Sequence, residues 1–256
     1  MTASVIAWRG PSRFDRKTPV VVLLTGFERG SLNKKTGPVV QAHVLVDRAV
    51  PAVASRMGLD SAICGTCPRR RTEERGTTCY VSLAKGYPQM GEKLIRGDYA
   101  VVTDAPERVR GRFVRVGAYG DPAAVPMAFW RRLLKHASGW TAYTHDWRRS
   151  TGLRSIAMAS VESPEEAAEA RALGWRTFRV RGVSPSGVAE PMLQREVVCP
   201  ASVEAGRKTT CDRCRLCSGL ESRGRDVAII DHSVKALWAR NLGPRRRALP
   251  LVGASA

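Results

Sequence analysis

The chain has 256 residues, 43% of them hydrophobic, with 42 Lys and Arg against 23 Asp and Glu for a net charge of +19. That apolar content excludes global disorder and is enough for one large domain or two small ones, while no apolar run approaches the ~18 residues of a membrane helix and the run at 20–24 is too short for a signal-peptide core. The basic excess favours polyanions, because phosphates release counterions on binding, so the expectation is a cytoplasmic protein with nucleic acid as a partner and no membrane.

The first part of the chain, 1–105, opens with predicted strands at 20–27 and 41–46. Between them 29–38 is a turn-rich loop. Asn33, Lys34, Lys35 and Thr36 are candidate phosphate contacts, but the full P-loop spacing of Gly and Lys-Ser/Thr is missing, and an exposed hairpin loop is the better reading. Cys64 and Cys67 then form Cys-x-x-Cys, with Cys79 twelve residues on and Arg69, Arg70 and Arg71 inside the loop. The second part, 106–240, is expected to pack into the same domain. It has a predicted strand at 112–116, then a helix over 127–137 opened by Pro126, with Phe129, Trp130, Leu133 and Leu134 on one face. Strands at 140–144 and 155–160 follow. Ser163 is a natural N-cap, Pro164 suits the first helical position, Glu166 completes a capping box, and Gly174 ends that helix. Strands at 176–180, 196–199 and 227–230 complete the set. Residues 241–256, with Arg245, Arg246 and Arg247, read as a basic flexible tail. Strands alternating with helices predict βαβ units and a largely parallel sheet.

Polar and ionisable residues recur just past the predicted strands: Tyr119 and Asp121, then His145 and Asp146, Ser160 and Glu162, and Asp231 and His232. In α/β barrels and open α/β sheets, ligands bind at that edge. Tyr119, Asp121, His145, Asp146, Ser160 and Glu162 are therefore the candidate catalytic residues at the mouth of a barrel. The plainer alternative is that such loops are polar anyway and some of these residues are caps. Arg69, Arg70, Arg71, Arg148 and Arg149 are candidate nucleic-acid contacts.

The seven cysteines fall into two groups, Cys64, Cys67 and Cys79, and Cys199 with Cys211, Cys214 and Cys217. An odd count and x-x gaps point to metal binding ahead of disulfides. The second group can supply four thiolates to zinc or to a [4Fe–4S] cluster, and three cysteines so close together favour iron–sulfur. His232 is a candidate substitute ligand there. The first group, with three thiolates, would leave one position open on a cluster, or on zinc for water or for His43.

The stretches Ser61-Ala-Ile-Cys-Gly-Thr-Cys-Pro68, Thr78-Cys-Tyr-Val81, Val116-Gly-Ala-Tyr-Gly-Asp-Pro122, Trp140-Thr-Ala-Tyr-Thr-His-Asp-Trp147 and Ala159-Ser-Val161 resemble a family of uncharacterised proteins from bacteriophages and mobile elements. Gly174-Trp-Arg-Thr-Phe178, Cys199-Pro-Ala-Ser202 and the triplet Cys211, Cys214, Cys217 extend that resemblance, which implies a bacterial host cytoplasm. More distantly the layout resembles radical S-adenosylmethionine proteins. Where that superfamily carries Cys-x₃-Cys-x-x-Cys, this chain has Cys64-x₂-Cys67-x₁₁-Cys79. The resemblance implies an α/β fold with a partial or full TIM-like βα barrel and metal-binding cysteine loops. It also implies a cluster on Cys64, Cys67 and Cys79, S-adenosylmethionine binding, and an auxiliary centre near the C-terminus. The expected function is a metal-dependent enzyme acting on nucleic acid or a nucleotide-derived substrate. Its rivals are a zinc-stabilised DNA-binding or replication-associated protein without radical chemistry and a structural protein of a phage complex.

Overall fold

The structure, a computed structural model, describes residues 4–28, 35–72, 76–184, 186–221 and 224–231. Asn33, Lys34, His232 and the arginines at 245–247 lie outside them. Three antiparallel strands come first: β1 (Val5–Pro11), β2 (Pro19–Thr25) and β3 (Val40–Val46). Residues 20–24 of β2 are all buried with no exposed surface, as in a strand covered on both faces. Short helices α1 (Pro51–Arg56) and α2 (Ser61–Cys64) lead into the first cysteine loop, and α3 (Tyr87–Arg96) and α4 (Ala105–Arg108) lead out of it.

From β3 onward the strands run parallel. β4 (Phe113–Val116) pairs with β3 and with β5 (Gly139–Thr141), and α5 (Met127–Leu134) crosses between them. This completes a five-stranded sheet in the order β1-β2-β3-β4-β5. The second sheet runs β6-β7-β8-β10-β9, all parallel: β6 (Tyr143–Thr144), β7 (Met158–Val161), β8 (Thr177–Arg181), β9 (Glu196–Val198) and β10 (Asp226–Ile230). α6 (Pro164–Ala172) links β7 to β8, and α7 (Cys211–Cys214) precedes β10. Only Ala142 separates β5 from β6. Its N–H donates to Cys217 O at 2.9 Å, and its carbonyl accepts from Met158 N–H at 3.0 Å. One strand thus passes from one sheet into the other, and the sheets part where the second cysteine loop takes an amide of that strand.

Of the partial or full barrel expected from the sequence, the closed form does not occur among the described residues. β1 and β9 stand at opposite edges without pairing to each other, and β1 and β2 run antiparallel to their neighbours, so they do not extend the parallel run. The expected strand at 155–160 begins later, because 151–155 form a 3₁₀ turn. The helix at 127–137 stops at Leu134, and β1, α1 and α3 were not anticipated. At α6 the expected cap is present, with Ser163 Oγ accepting from Glu166 N–H at 3.2 Å. The returning Glu166 carboxylate takes the N–H of Glu162, not that of Ser163.

The larger core packs the first sheet and its helices around Trp130 and Trp147, both about fully buried. Burying each aliphatic or aromatic side chain there contributes roughly 1.5–3 kcal/mol. Trp130 Nε1 reaches Pro122 O at 2.9 Å, so its burial leaves no unmet donor. A smaller core of Met158, Val180, Cys199, Val227 and Ile229 serves the second sheet. No helix among the described residues is long and apolar enough to cross a membrane.

Candidate active site

Strand alternation puts one side chain in two of each strand on a shared inner face. Gln41 of β3, Arg115 of β4, Thr141 of β5, Tyr143 of β6, Ser160 of β7, Phe178 and Val180 of β8 and Ile229 of β10 all line one cavity of about 380 Å³. That volume is in the range of small-molecule sites. Loops complete the wall. Gly117–Asp121 follows β4, and the first cysteine loop contributes Cys64, Cys67, Arg69, Cys79 and Tyr80. Gly117 and Gly120 have φ of +69° and +76°, and a Cβ on Gly120 would lie 2.6 Å from Val44 O, so only glycine lets this loop return against β3.

The first cysteine loop is fastened over the strand ends. Arg69 is buried; its guanidinium donates to both Glu162 oxygens, through Nε at 3.0 Å, and pairs with Asp231 at 3.2 Å. Tyr80 packs its ring 4.7 Å from the Arg69 guanidinium and donates to Asp231 at 3.1 Å. Arg70 is held by Asp60 at 2.8 Å and by Gly65 O at 3.0 Å. Asp121 N–H donates to Ile63 O, and the Asp121 carboxylate accepts from Thr144 Oγ1, Ala123 N–H and His145 N–H at 2.7–2.9 Å. Burial raises the Asp121 pKa despite those donors.

Five of the six expected catalytic residues converge on this region. Tyr119, Asp121, His145 and Ser160 line the cavity, and Glu162 stands behind it. Asp146 does not join them: it accepts from Arg149 Nε at 2.8 Å, from Ser150 and from the amides of Arg149 and Ser150, the work of a turn cap. The Asp121 carboxylate, engaged by three donors, holds the β4 loop to β6. Two polar atoms on the cavity wall are buried without a hydrogen-bond partner, Tyr119 Oη and His145 Nε2. The nearest anion to His145 Nε2 is Glu162 Oε1 at 3.6 Å, an ion-pair separation. Burial disfavours charge on His145, but Cys67, Glu162 and Asp121 outweigh it and push its pKa up to about 10. His43, considered from the sequence as a metal ligand, instead has Thr25 Oγ1 and Tyr87 Oη each 3.2 Å from a ring nitrogen.

No disulfide forms. Cys199, Cys211, Cys214 and Cys217 line a second cavity of about 10 Å³, against Thr141 and Tyr143. Cys211, Thr141 and Tyr143 line both cavities, so one cysteine of the second group shares the larger cavity with the first group. Burial, then the neighbouring cysteines, pushes Cys217 up to about 12, and burial lifts Cys64 and Cys79. Among the described residues no three His, Cys, Asp or Glu side chains converge closely enough to coordinate one ion.

No known protein family, curated protein or solved structure matches this chain. The resemblances drawn from the sequence gain nothing from those comparisons.

The arginines expected to meet nucleic acid are mostly engaged elsewhere. Arg69 and Arg70 are bound to carboxylates as above, Arg149 to Asp146, and Arg148 lies 3.9 Å over the Trp147 ring while pairing with Glu169 at 2.7 Å. Arg71 is exposed. Arg115, Tyr143 and Tyr87 are cavity residues that sequence reasoning passed over. The signal for Arg115 was its place between Val114 and Val116, a cation in an inward-facing slot of a buried strand.

Proposed function

We propose that this chain is a metal-dependent enzyme whose cavity takes a nucleotide-derived or nucleic-acid substrate, with an iron–sulfur cluster on Cys64, Cys67 and Cys79 and a second centre on Cys199, Cys211, Cys214 and Cys217. In this reading the two sheets act as a partial βα barrel of the radical S-adenosylmethionine kind, with S-adenosylmethionine as a candidate co-substrate. The observation that carries it is the opening of three unbridged cysteines onto the same cavity as Tyr119 and His145. Three soft thiolates without a fourth protein donor fit a cluster with an open position. Bound there, a cluster would supply one-electron chemistry next to the substrate.

The chain's own residues have separable tasks. Arg69, clamped by Glu162 and Asp231, holds the Cys67–Cys79 loop over the strand ends. Asp121 fixes the backbone of His145. His145 stands beside Cys67 and Glu162, and Tyr119 closes the cavity wall next to them. Tyr87, Tyr143 and Phe178 exclude water from its walls.

Zinc is the second reading, with Cys199, Cys211, Cys214 and Cys217, which line one small cavity, as its four thiolate donors. Anaerobic purification followed by a visible spectrum and iron, sulfide and zinc analysis decides between them. Brown protein with iron and sulfide, and an electron paramagnetic resonance signal that shifts on adding S-adenosylmethionine, is the expected result. Colourless protein carrying zinc alone would defeat the cluster and leave the zinc-stabilised DNA-binding reading.

A further inference from the structure

Among the described residues, Arg115 on the cavity wall makes no ion pair. The fully buried arginines elsewhere each carry a carboxylate: Arg69 has Glu162 and Asp231, Arg179 has Glu196 at 2.7 Å, and Arg181 has Glu204. Arg115 is half-buried on β4, next to the edge strand of the first sheet, and its registered neighbours are Gln41 on β3 and Thr141 on β5, both polar and both uncharged. No ion pair or hydrogen bond engages its guanidinium among the described residues. Its charge reaches the surroundings: it adds to the burial that lowers the His43 pKa and opposes the burial that raises that of Cys211. A guanidinium held in a partly desolvated wall without a counter-charge costs free energy unless an anion meets it.

A second observation points into the same space. Tyr119, 4% exposed, has an unpartnered hydroxyl on the cavity wall. Beyond Arg115 lie flat apolar surfaces. Tyr143 lies two residues beyond Thr141, the registered neighbour of Arg115, and its ring is 4.5 Å from that of Phe178. A cation and a pair of aromatic rings lining one cavity match a phosphate ester on a planar heterocycle.

We infer that Arg115 is the anion anchor of the cavity and receives the phosphate of a nucleotide, whose base lies against Tyr143 and Phe178. The inference deepens the proposed function by naming the substrate class and the residue that selects it. It requires no metal for binding, so metal analysis of the same preparation reports separately on the proposed centres.

The test is calorimetric titration of the purified full-length protein with guanosine and adenosine 5′-monophosphate, the matching nucleosides and inorganic phosphate. A monophosphate should bind, and its nucleoside should bind at least ten-fold more weakly. Arg115→Gln should weaken the monophosphate by about ten-fold or more, the scale of a lost charged hydrogen bond, while leaving nucleoside affinity unchanged. Arg115→Lys should fall between, Tyr119→Phe should cost a smaller factor, and Arg131→Gln on the exposed face of α5 should change nothing. Displacement by a short 5′-phosphorylated oligonucleotide would place the nucleotide within nucleic acid; resistance to it would place it free in solution. No monophosphate binding by the wild type, or equal affinity in a folded Arg115→Gln or Arg115→Lys variant, overturns the assignment.

Discussion

At the residue scale, His43 shows how burial and a neighbouring cation together set a side chain's charge. Burial, with Arg115 adding to it, pushes the His43 pKa down to about 3 from an ordinary value of 6.5. The folded protein therefore holds that proton less tightly than the unfolded chain does. Stability from this group is complete above pH 6.5 and is lost as pH falls from there toward 3, at up to about 1.4 kcal/mol per pH unit. His43→Gln, which keeps hydrogen bonding to Thr25 and Tyr87, should flatten the fall in unfolding free energy between about pH 6.5 and 4.5, read by urea denaturation at each pH. A variant that tracks the wild-type curve would show that His43 does not carry this term. Arg69 is the other decisive residue. Its charge suggested a solvated contact for phosphates, yet it is enclosed by Glu162, Asp231 and Tyr80. Arg69→Met takes the guanidinium away from two partly buried carboxylates and should cost about 2–3 kcal/mol in denaturant unfolding, with Glu162→Gln in the same chain recovering part of the loss. Neutral behaviour of the single variant would mean the clamp holds nothing in place.

At the scale of elements, what could be read from the sequence follows local signals. β2 declared itself through five successive aliphatic residues, and α6 through Ser163, Pro164 and Glu166, because strand burial and helix capping are short-range effects. The strand ends were legible too, so Tyr119, Asp121, His145 and Ser160 were found before the cavity that they share. α1 and α3 escaped because each begins at a proline-containing turn without a Ser, Thr, Asp or Asn cap. The split between β5 and β6 has no local signal at all: it depends on Cys217, seventy-five positions further along, supplying a carbonyl to Ala142. The roles of Asp146 and Arg69 were likewise fixed by partners that periodicity does not name.

Across the whole molecule, a net charge of +19 overstates the free positive surface around the site. Arg69, Arg70, Arg148 and Arg149 all have carboxylate partners, so electrostatic attraction of a polyanion must draw on other arginines, and Arg115 acts inside the cavity. The same long-range organisation gives the Ala142 junction a consequence for how the protein comes apart. The strand from Gly139 to Thr144 is the seam between two sheets, and its central amide is closed by the loop that carries Cys217. Whatever stabilises that loop also locks the seam, and whatever loosens it frees an amide in the middle of the protein. In hydrogen–deuterium exchange, Cys214→Ser should therefore speed exchange at Ala142 well before it does so at the buried amides of β2, with the second sheet opening as a separate unit. Exchange at both places rising together would mean that the molecule has no seam and opens only as a whole.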